Sequence, residues 1–169
     1  EYRQALSAAR KLESPLLQVR ILTNLAGSET EARRFDAART AVNQAMALAG
    51  HGEAAGWRPF IFGATAKISA EQGNLRLAAE QFDKTFSGID LAASDMLYRD
   101  YHRAASKVYE ATGNESLALA HFKAFQRLDS EARNLTSSIA SQLASSQFDF
   151  ANQNLKIARL NEEKLEKDV

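Results

Sequence analysis

Three histidines, His51, His102 and His121, are the residues of this 169-residue chain best suited to proton transfer or metal ligation. Imidazole titrates near neutral pH and its ring nitrogens bind zinc. Their spacing supports neither use: there is no HxxxH or HExxH pair, and no Ser or Asp stands beside them in a triad-like arrangement. They read as surface or half-buried helix histidines. Gly50-His51-Gly52 lacks the Lys-Ser/Thr pair and the strand context of a phosphate loop, so it reads as a flexible connection. The absence of cysteine removes disulfides, thiolate metal sites and Cys nucleophiles together. Ser137, Ser138, Ser141, Ser145 and Ser146 could accept phosphate, but small side chains on a closely packed helix explain them more simply. The sequence therefore predicts no enzyme, no metal and no cofactor.

The bulk chemistry points the same way. Lys and Arg number 21, Asp and Glu 21, so the formal net charge is zero and the basic excess of a nucleic-acid binder is missing. No apolar run approaches the roughly 20 residues that span a bilayer. The chain begins with Glu1 rather than Met and reads as a fragment from which targeting signals have been cut. Proline occurs only at 15 and 59, both at helix first turns, and the remainder is rich in Ala, Leu, Gln, Glu, Arg and Lys, which predicts an all-α chain.

The elements recur. Tyr2, Val42, Phe82 and Phe122 fall at a 40-residue step; Ala38, Ala78 and Ala118 repeat it, as do Ala5, Ala45, Thr85 and Phe125. Gly73-Asn74 and Gly113-Asn114 mark matching turns, since both residue types accept the left-handed backbone of a helix C-cap. A period of this length means stacked supersecondary units. Residues 1–12 read as a second helix of an earlier unit, with Tyr2, Ala5, Ala8 and Ala9 inward. Ser14-Pro15 caps the next helix, with Leu16, Val19, Leu22 and Leu25 on its inner line; the polar stretch Gly27 to Arg34 leaves its end open. Its partner runs from about Phe35 to Leu48. Trp57 and Pro59 open a helix with Phe62, Ala66 and Ser69 inward, and Trp57 is expected to pack. Leu75 to Phe86 forms the partner, Asp95 caps the helix carrying Leu97, Tyr101, Ala105, Val108 and Tyr109, and Leu117 to Phe125 follows. The aromatic set Tyr2, Phe82, Phe122, Phe125 and Phe148 is assigned to the core by periodicity.

From residue 114 onward there is neither Gly nor Pro; Asp129-Ser130 is read as the cap of a new start, from which Leu135, Ile139 and Leu143 run on one stripe of a long terminal helix. Its first half is expected to cover the apolar end of the stack, and its second half, beyond about Ala151, to pair with a second copy as a coiled-coil-like homodimer. The domains are then 1–130, the repeats, and 131–169, a capping and signalling helix.

Tyr109, Gly113, Ala118 and Phe122 resemble the centre of a tetratricopeptide repeat, in which an aromatic and a Gly end the first helix and a small residue and an aromatic follow on the second. Ser69, Gly73, Ala78 and Phe82 match with Ser for the aromatic; Arg33, Ala38 and Val42 match less well and lack the Gly. The family period is about 34 residues, so each unit here carries about six more. The resemblance covers roughly residues 1–127 and implies antiparallel helix pairs in a right-handed superhelical solenoid. It also implies a groove lined by the first helix of each unit, with Arg20, Asn24, Lys67, Arg103 and Lys107 facing a peptide carboxylate through charge-assisted hydrogen bonds. Against this, the same residues read as solvated helix faces.

The stretch Phe148 to Glu163 resembles the helix that, in bacterial membrane signalling proteins, leads from tetratricopeptide units to a transmembrane segment and a GGDEF diguanylate cyclase or histidine kinase. The resemblance implies a non-catalytic sensor domain, periplasmic and tethered near a membrane, binding a peptide or protein and relaying through its last helix. A free-standing peptide-binding adaptor, cytoplasmic and without an output domain, is the alternative.

Overall fold

A computed structural model describes residues 2–167, with side chains described for residues 4–159. It is all-helical, and no strand occurs among the described residues. The α-helices are α1 (Tyr2–Lys11), α2 (Pro15–Glu31), α3 (Phe35–Leu48), α4 (Arg58–Glu71), α5 (Leu75–Thr85), α6 (Arg99–Ala111) and α7 (Glu115–Lys167). Short 3-10 turns, Gly52–Trp57 and Met96–Tyr98, precede α4 and α6. The chain divides into two compact units, residues 1–128 and 129–169, and α7 contributes to both.

Tight and loose connections alternate in a way the residues explain. Glu13, Arg33, Gly73 and Gly113 all adopt positive φ, at 51°, 57°, 80° and 81°. In each turn the next residue's N–H reaches back five positions: Ser14 to Ala9, Arg34 to Glu29, Asn74 to Ser69, and Asn114 to Tyr109. This closes the last carbonyls of the first helix and reverses the chain at once. The following residue often starts the next helix itself: Ser14 Oγ accepts from Leu17 N–H at 3.3 Å, and Asn74 Oδ1 and Asn114 Oδ1 accept from Leu77 and Leu117 N–H at 3.3 and 3.2 Å. The polar stretch Gly27 to Arg34 does not interrupt α2. Its Thr30 is buried and bonds back to Ala26 O, and Arg33 takes the left-handed position that Gly holds in later copies.

The first unit has two apolar cores that meet at α4. Val19, Leu22, Ala26, Ala38, Val42 and Ala45 pack with Ile61, Ala64 and Ile68 of α4. Phe60 and Ala66 of the same helix join Ala78, Phe82, Phe86, Tyr98, Ala105, Val108 and Tyr109. A helix with apolar residues all round is buried on more than one side. The inner line expected for α4 is therefore too narrow, and Phe62 is the member of it that stays partly exposed, under the Lys84 ammonium at 5.6 Å. Ala38, Ala78 and Ala118 are buried, the small residues at which α3, α5 and α7 approach their neighbours. Gly63 marks a still closer approach, since a Cβ there would stand 2.5 Å from Tyr101 Cδ1. Trp57 packs against both cores, its ring centroid 4.4 Å from that of Phe60.

Several inward assignments differ from the structure. On α1 it is Leu6 and Ala9 that pack, while Ala5 and Ala8 are exposed. Phe82 is fully buried, but Phe122, forty residues on, is 45% exposed and Phe148 is 67% exposed. Phe82 is enclosed by Ala105 and Val108 of the following hairpin, whereas no further hairpin succeeds Phe122 among the described residues. Tyr2 lies outside the described side chains. No helix start occurs at Asp129-Ser130; Asp129 instead pairs with Arg133 within α7. Residues 133–159 are exposed throughout, Ser137, Ser138, Ser141, Ser145 and Ser146 among them.

Candidate functional site

The five cationic and amide candidates are carried by α2, α4 and α6, which pack in that order. Arg20, Asn24, Arg103 and Lys107 are exposed and Lys67 is partly buried. Arg20 places its guanidinium 5.2 Å from the Trp57 ring centroid. Arg103 lies 5.8 Å from the Phe125 ring centroid and 3.7 Å from Asp100 Oδ1. Lys67 and Lys107 share one repeat position, one step beyond Gly27. At the positions of α4 that correspond to Arg20 and Asn24 stand Phe60 and Ala64, both buried. The polar line is thus interrupted at its centre by core.

The structure builds a second constellation that the spacing did not announce. His102 on α6 and His121 on α7 are not surface or half-buried residues: they are 0% and 2% exposed. Their Nδ1 atoms are 2.8 Å apart. His102 Nε2 is 2.8 Å from Ser94 Oγ. Ser94, itself buried, sits at the end of the connection between α5 and α6, and its hydroxyl donates to Leu91 O at 3.0 Å. Arg127 on α7 closes the group, donating from Nη2 to Ser94 O at 2.6 Å and toward Ser94 Oγ at 3.3 Å. Since the serine proton is committed to Leu91, Oγ accepts from both His102 and Arg127. That assigns the Nε2–H tautomer to His102, leaves its Nδ1 as acceptor, and makes His121 the Nδ1–H donor.

Aromatic rings wall the pair. Phe86 lies 4.6 Å from His102 and 4.5 Å from His121 between centroids, and Tyr109 stacks on His121 at 5.3 Å and 10°. Burial penalises an imidazolium here and pushes both histidines down to about 4. The neighbouring imidazole and Arg127 push His102 the same way, while Asp83 opposes burial at His121. Asp83 also accepts from Tyr109 OH at 2.6 Å; burial, and then that carboxylate, hold the phenol well above its usual range.

Ser94 and His102 have the contact of a nucleophile and its base, but the hydroxyl already donates to a carbonyl, and an imidazole at about 4 is a weak base at neutral pH. What the arrangement does is tie the 86–95 connection to α6 and α7. On its outer side that connection forms one wall of a groove of about 640 Å³: Ile89, Leu91 and Ala92 face Leu119, Lys123 and Arg127 of α7. None of the five predicted groove residues lines it. His51 is exposed and borders a separate cleft with Pro15 and Leu48. Among the described residues no group of three His, Cys, Asp or Glu could hold a metal ion, and no helix is long and apolar enough to cross a membrane.

The signal for the buried pair was in the repeat. Forty-residue steps bring His102 into register with Leu22 and Phe62, and His121 with Ala41 and Gln81. Leu22 and Ala41 are core residues while Phe62 and Gln81 are partly buried, so the register places both imidazoles on inward-facing steps without fixing their full burial. Compared with known proteins, the chain matches no family model, no curated protein and no solved structure.

Proposed function

We propose that the chain is a non-catalytic interaction and relay module, its hairpins stacked in the manner of a tetratricopeptide solenoid and its last helix pairing with a second copy. The hairpin turns at Glu13, Arg33, Gly73 and Gly113, and the sharing of α4 between two cores, support the stacked reading. The observation that carries the interaction role is on α7. Leu135, Ile139, Leu143, Phe150 and Ile157 are 56–66% exposed and recur three, four or seven residues apart with Ser146 among them. Leu135, Ser146 and Ile157 are eleven apart, as are Ile139 and Phe150, so the stripe follows 3.67 residues per turn and favours a straight or slightly right-handed pairing over a heptad seam. Five such side chains at about 100 Å² each supply on the order of 1,000 Å² between two copies, near the threshold of a specific interface.

In this reading a peptide or protein ligand meets the first unit, with Arg20, Asn24, Lys67, Arg103 and Lys107 as its candidate contacts. Paired helices then convey the change to an output domain of the GGDEF or histidine-kinase kind, periplasmic sensing being the location that fits the tail's resemblance. A concentration series in the analytical ultracentrifuge tests it. The chain is expected to dimerise, and Ile139→Glu with Phe150→Glu to stay monomeric with unchanged helix content. A monomer at all concentrations refutes the pairing and leaves the free-standing adaptor.

A further inference from the structure

The chain from Phe86 to Asp95 is fastened at few places. Within it, Ile89 N–H bonds to Phe86 O at 3.0 Å, Ala93 N–H to Asp90 O at 3.2 Å, and Ala92 N–H to Asp90 Oδ1 at 3.0 Å. These bonds shape the segment but do not attach it. Attachment comes from Phe86, buried in the second core, from Ile89 and Leu91, partly buried on it, and from Ser94. Ser94 is polar-bonded to both neighbouring helices, to α6 through His102 and to α7 through Arg127.

We propose that His102 and His121 form a proton-operated latch: the neutral pair holds the 86–95 segment closed through Ser94, and proton uptake releases that segment and opens the wall of the adjoining groove. Phe86 and Ser94 of the segment help enclose both rings, so the rings take protons freely only when it opens. A proton at Nδ1 of His102 leaves the Nε2–H bond to Ser94 in place, and what the closed pair loses is the contact between the rings. The neutral network has one proton between the two Nδ1 atoms, one between His102 Nε2 and Ser94 Oγ, and one between Ser94 Oγ and Leu91 O. A proton added to His102 must enter at Nδ1, where it meets the Nδ1–H of His121 at 2.8 Å. The contact survives only if His121 moves its own proton to Nε2. With both rings cationic it cannot survive, because two N–H groups then face each other across it. The charged and titratable groups around the pair set the balance. Asp83 of α5 favours a cation at His121, Arg127 of α7 disfavours one at His102, and Tyr98 and Tyr109 present neutral faces at 6.4 Å from His102 and 5.3 Å from His121. Within the pair each cation would also disfavour the other.

The open segment binds protons at the ordinary pKa of 6.5 and the closed one at about 4. Opening is therefore favoured as pH falls, by about 20-fold between pH 7 and pH 5 for each histidine exposed. Hydrogen exchange of the whole chain, corrected for the intrinsic pH dependence, reads this directly. Amides of Ile89, Ala92 and Ala93 are expected to lose about 20-fold in protection at pH 5, while those of α3 keep theirs. Ser94→Ala should give these three amides low protection already at pH 7 and no further loss at pH 5. The latch is overturned by equal corrected rates at the two pH values, by loosening of α3 in step with the segment, or by wild-type protection in Ser94→Ala. Should that variant fail to fold, ¹⁵N-histidine spectra of the parent decide: His102 as the Nε2–H and His121 as the Nδ1–H tautomer, both neutral at pH 5, support the latch. Two imidazoles half-charged at pH 6.5 overturn it.

Discussion

Phe82 and Phe122 occupy the same repeat position and differ in what covers them, so replacing each by Ala isolates the contribution of a neighbouring hairpin. Phe82 is fully buried among Ala66, Ala78, Phe86, Ala105 and Val108. Deleting a fully enclosed ring costs about 3–5 kcal/mol, the transfer term plus the cavity it leaves. Phe122 is 45% exposed, bordered by Ser106, Glu110, Ala118 and Leu119. Full burial of a Phe contributes up to about 3 kcal/mol, so the covered part contributes about 1.5. Ala is a better helix former than Phe by about 0.5 kcal/mol, which brings the expected loss for Phe122→Ala to about 1 kcal/mol. The two variants should thus differ by about 2–4 kcal/mol. Urea unfolding followed by the fluorescence of Trp57, the single tryptophan, which packs on both cores, measures this, provided the slope of the transition is unchanged. Equal losses would refute the argument, because position 122 would then be as well enclosed as position 82. A concentration-dependent loss at 122 would show that a second copy supplies the enclosure.

Two more outcomes follow from packing and charge. The unfolded chain binds protons at His102 and His121 near 6.5 and the folded chain near 4, so stability is complete above about pH 6.5 and is lost as pH falls toward 4, by on the order of 3 kcal/mol for one histidine; urea midpoints at pH 7 and pH 5 check this, and His102→Leu should flatten the dependence. Gly63→Ala places a Cβ 2.5 Å from the Tyr101 ring, and the displacement should outweigh the gain in helix preference, for a net cost of about 1–2 kcal/mol read from the same transition.

Local chemistry was legible wherever a residue type fixes a backbone state. Ser14-Pro15, Gly73-Asn74 and Gly113-Asn114 bounded helices correctly, and α3 runs from Phe35 to Leu48 as its apolar spacing indicated. The turn at Arg33 was not legible, because an arginine in the left-handed region looks like any surface arginine in a sequence. Helix α4 was read too narrowly for a related reason. Periodicity finds one apolar face, whereas Phe60, Ile61, Ala64, Ala66 and Ile68 serve two cores. The paired histidines stand nineteen residues apart on separate helices, and no local spacing rule reaches across that distance.

The same logic explains why a buried polar pair is placed where it is. A residue in the core position of His102 could be apolar, as Leu22 is at the corresponding point of the first hairpin. There the connection following the hairpin runs through the 3-10 turn Gly52–Trp57, anchored by the buried Ala54 and by Trp57. The connection after α5 has apolar anchors too, Ile89, Leu91 and the buried Tyr98, but at the step of Ala54 it carries the buried Ser94. A hydroxyl in that position must find partners, since an unsatisfied buried polar group costs about 1–3 kcal/mol. His102, His121 and Arg127 supply them. The exchange of an apolar plug for a hydrogen-bonded one makes this connection, unlike the earlier one, dependent on the protonation of two rings. Replacing Ser94, His102 and His121 together by Ala, Leu and Phe would restore the apolar solution, and the reasoning requires such a chain to keep its fold while losing its response to acid.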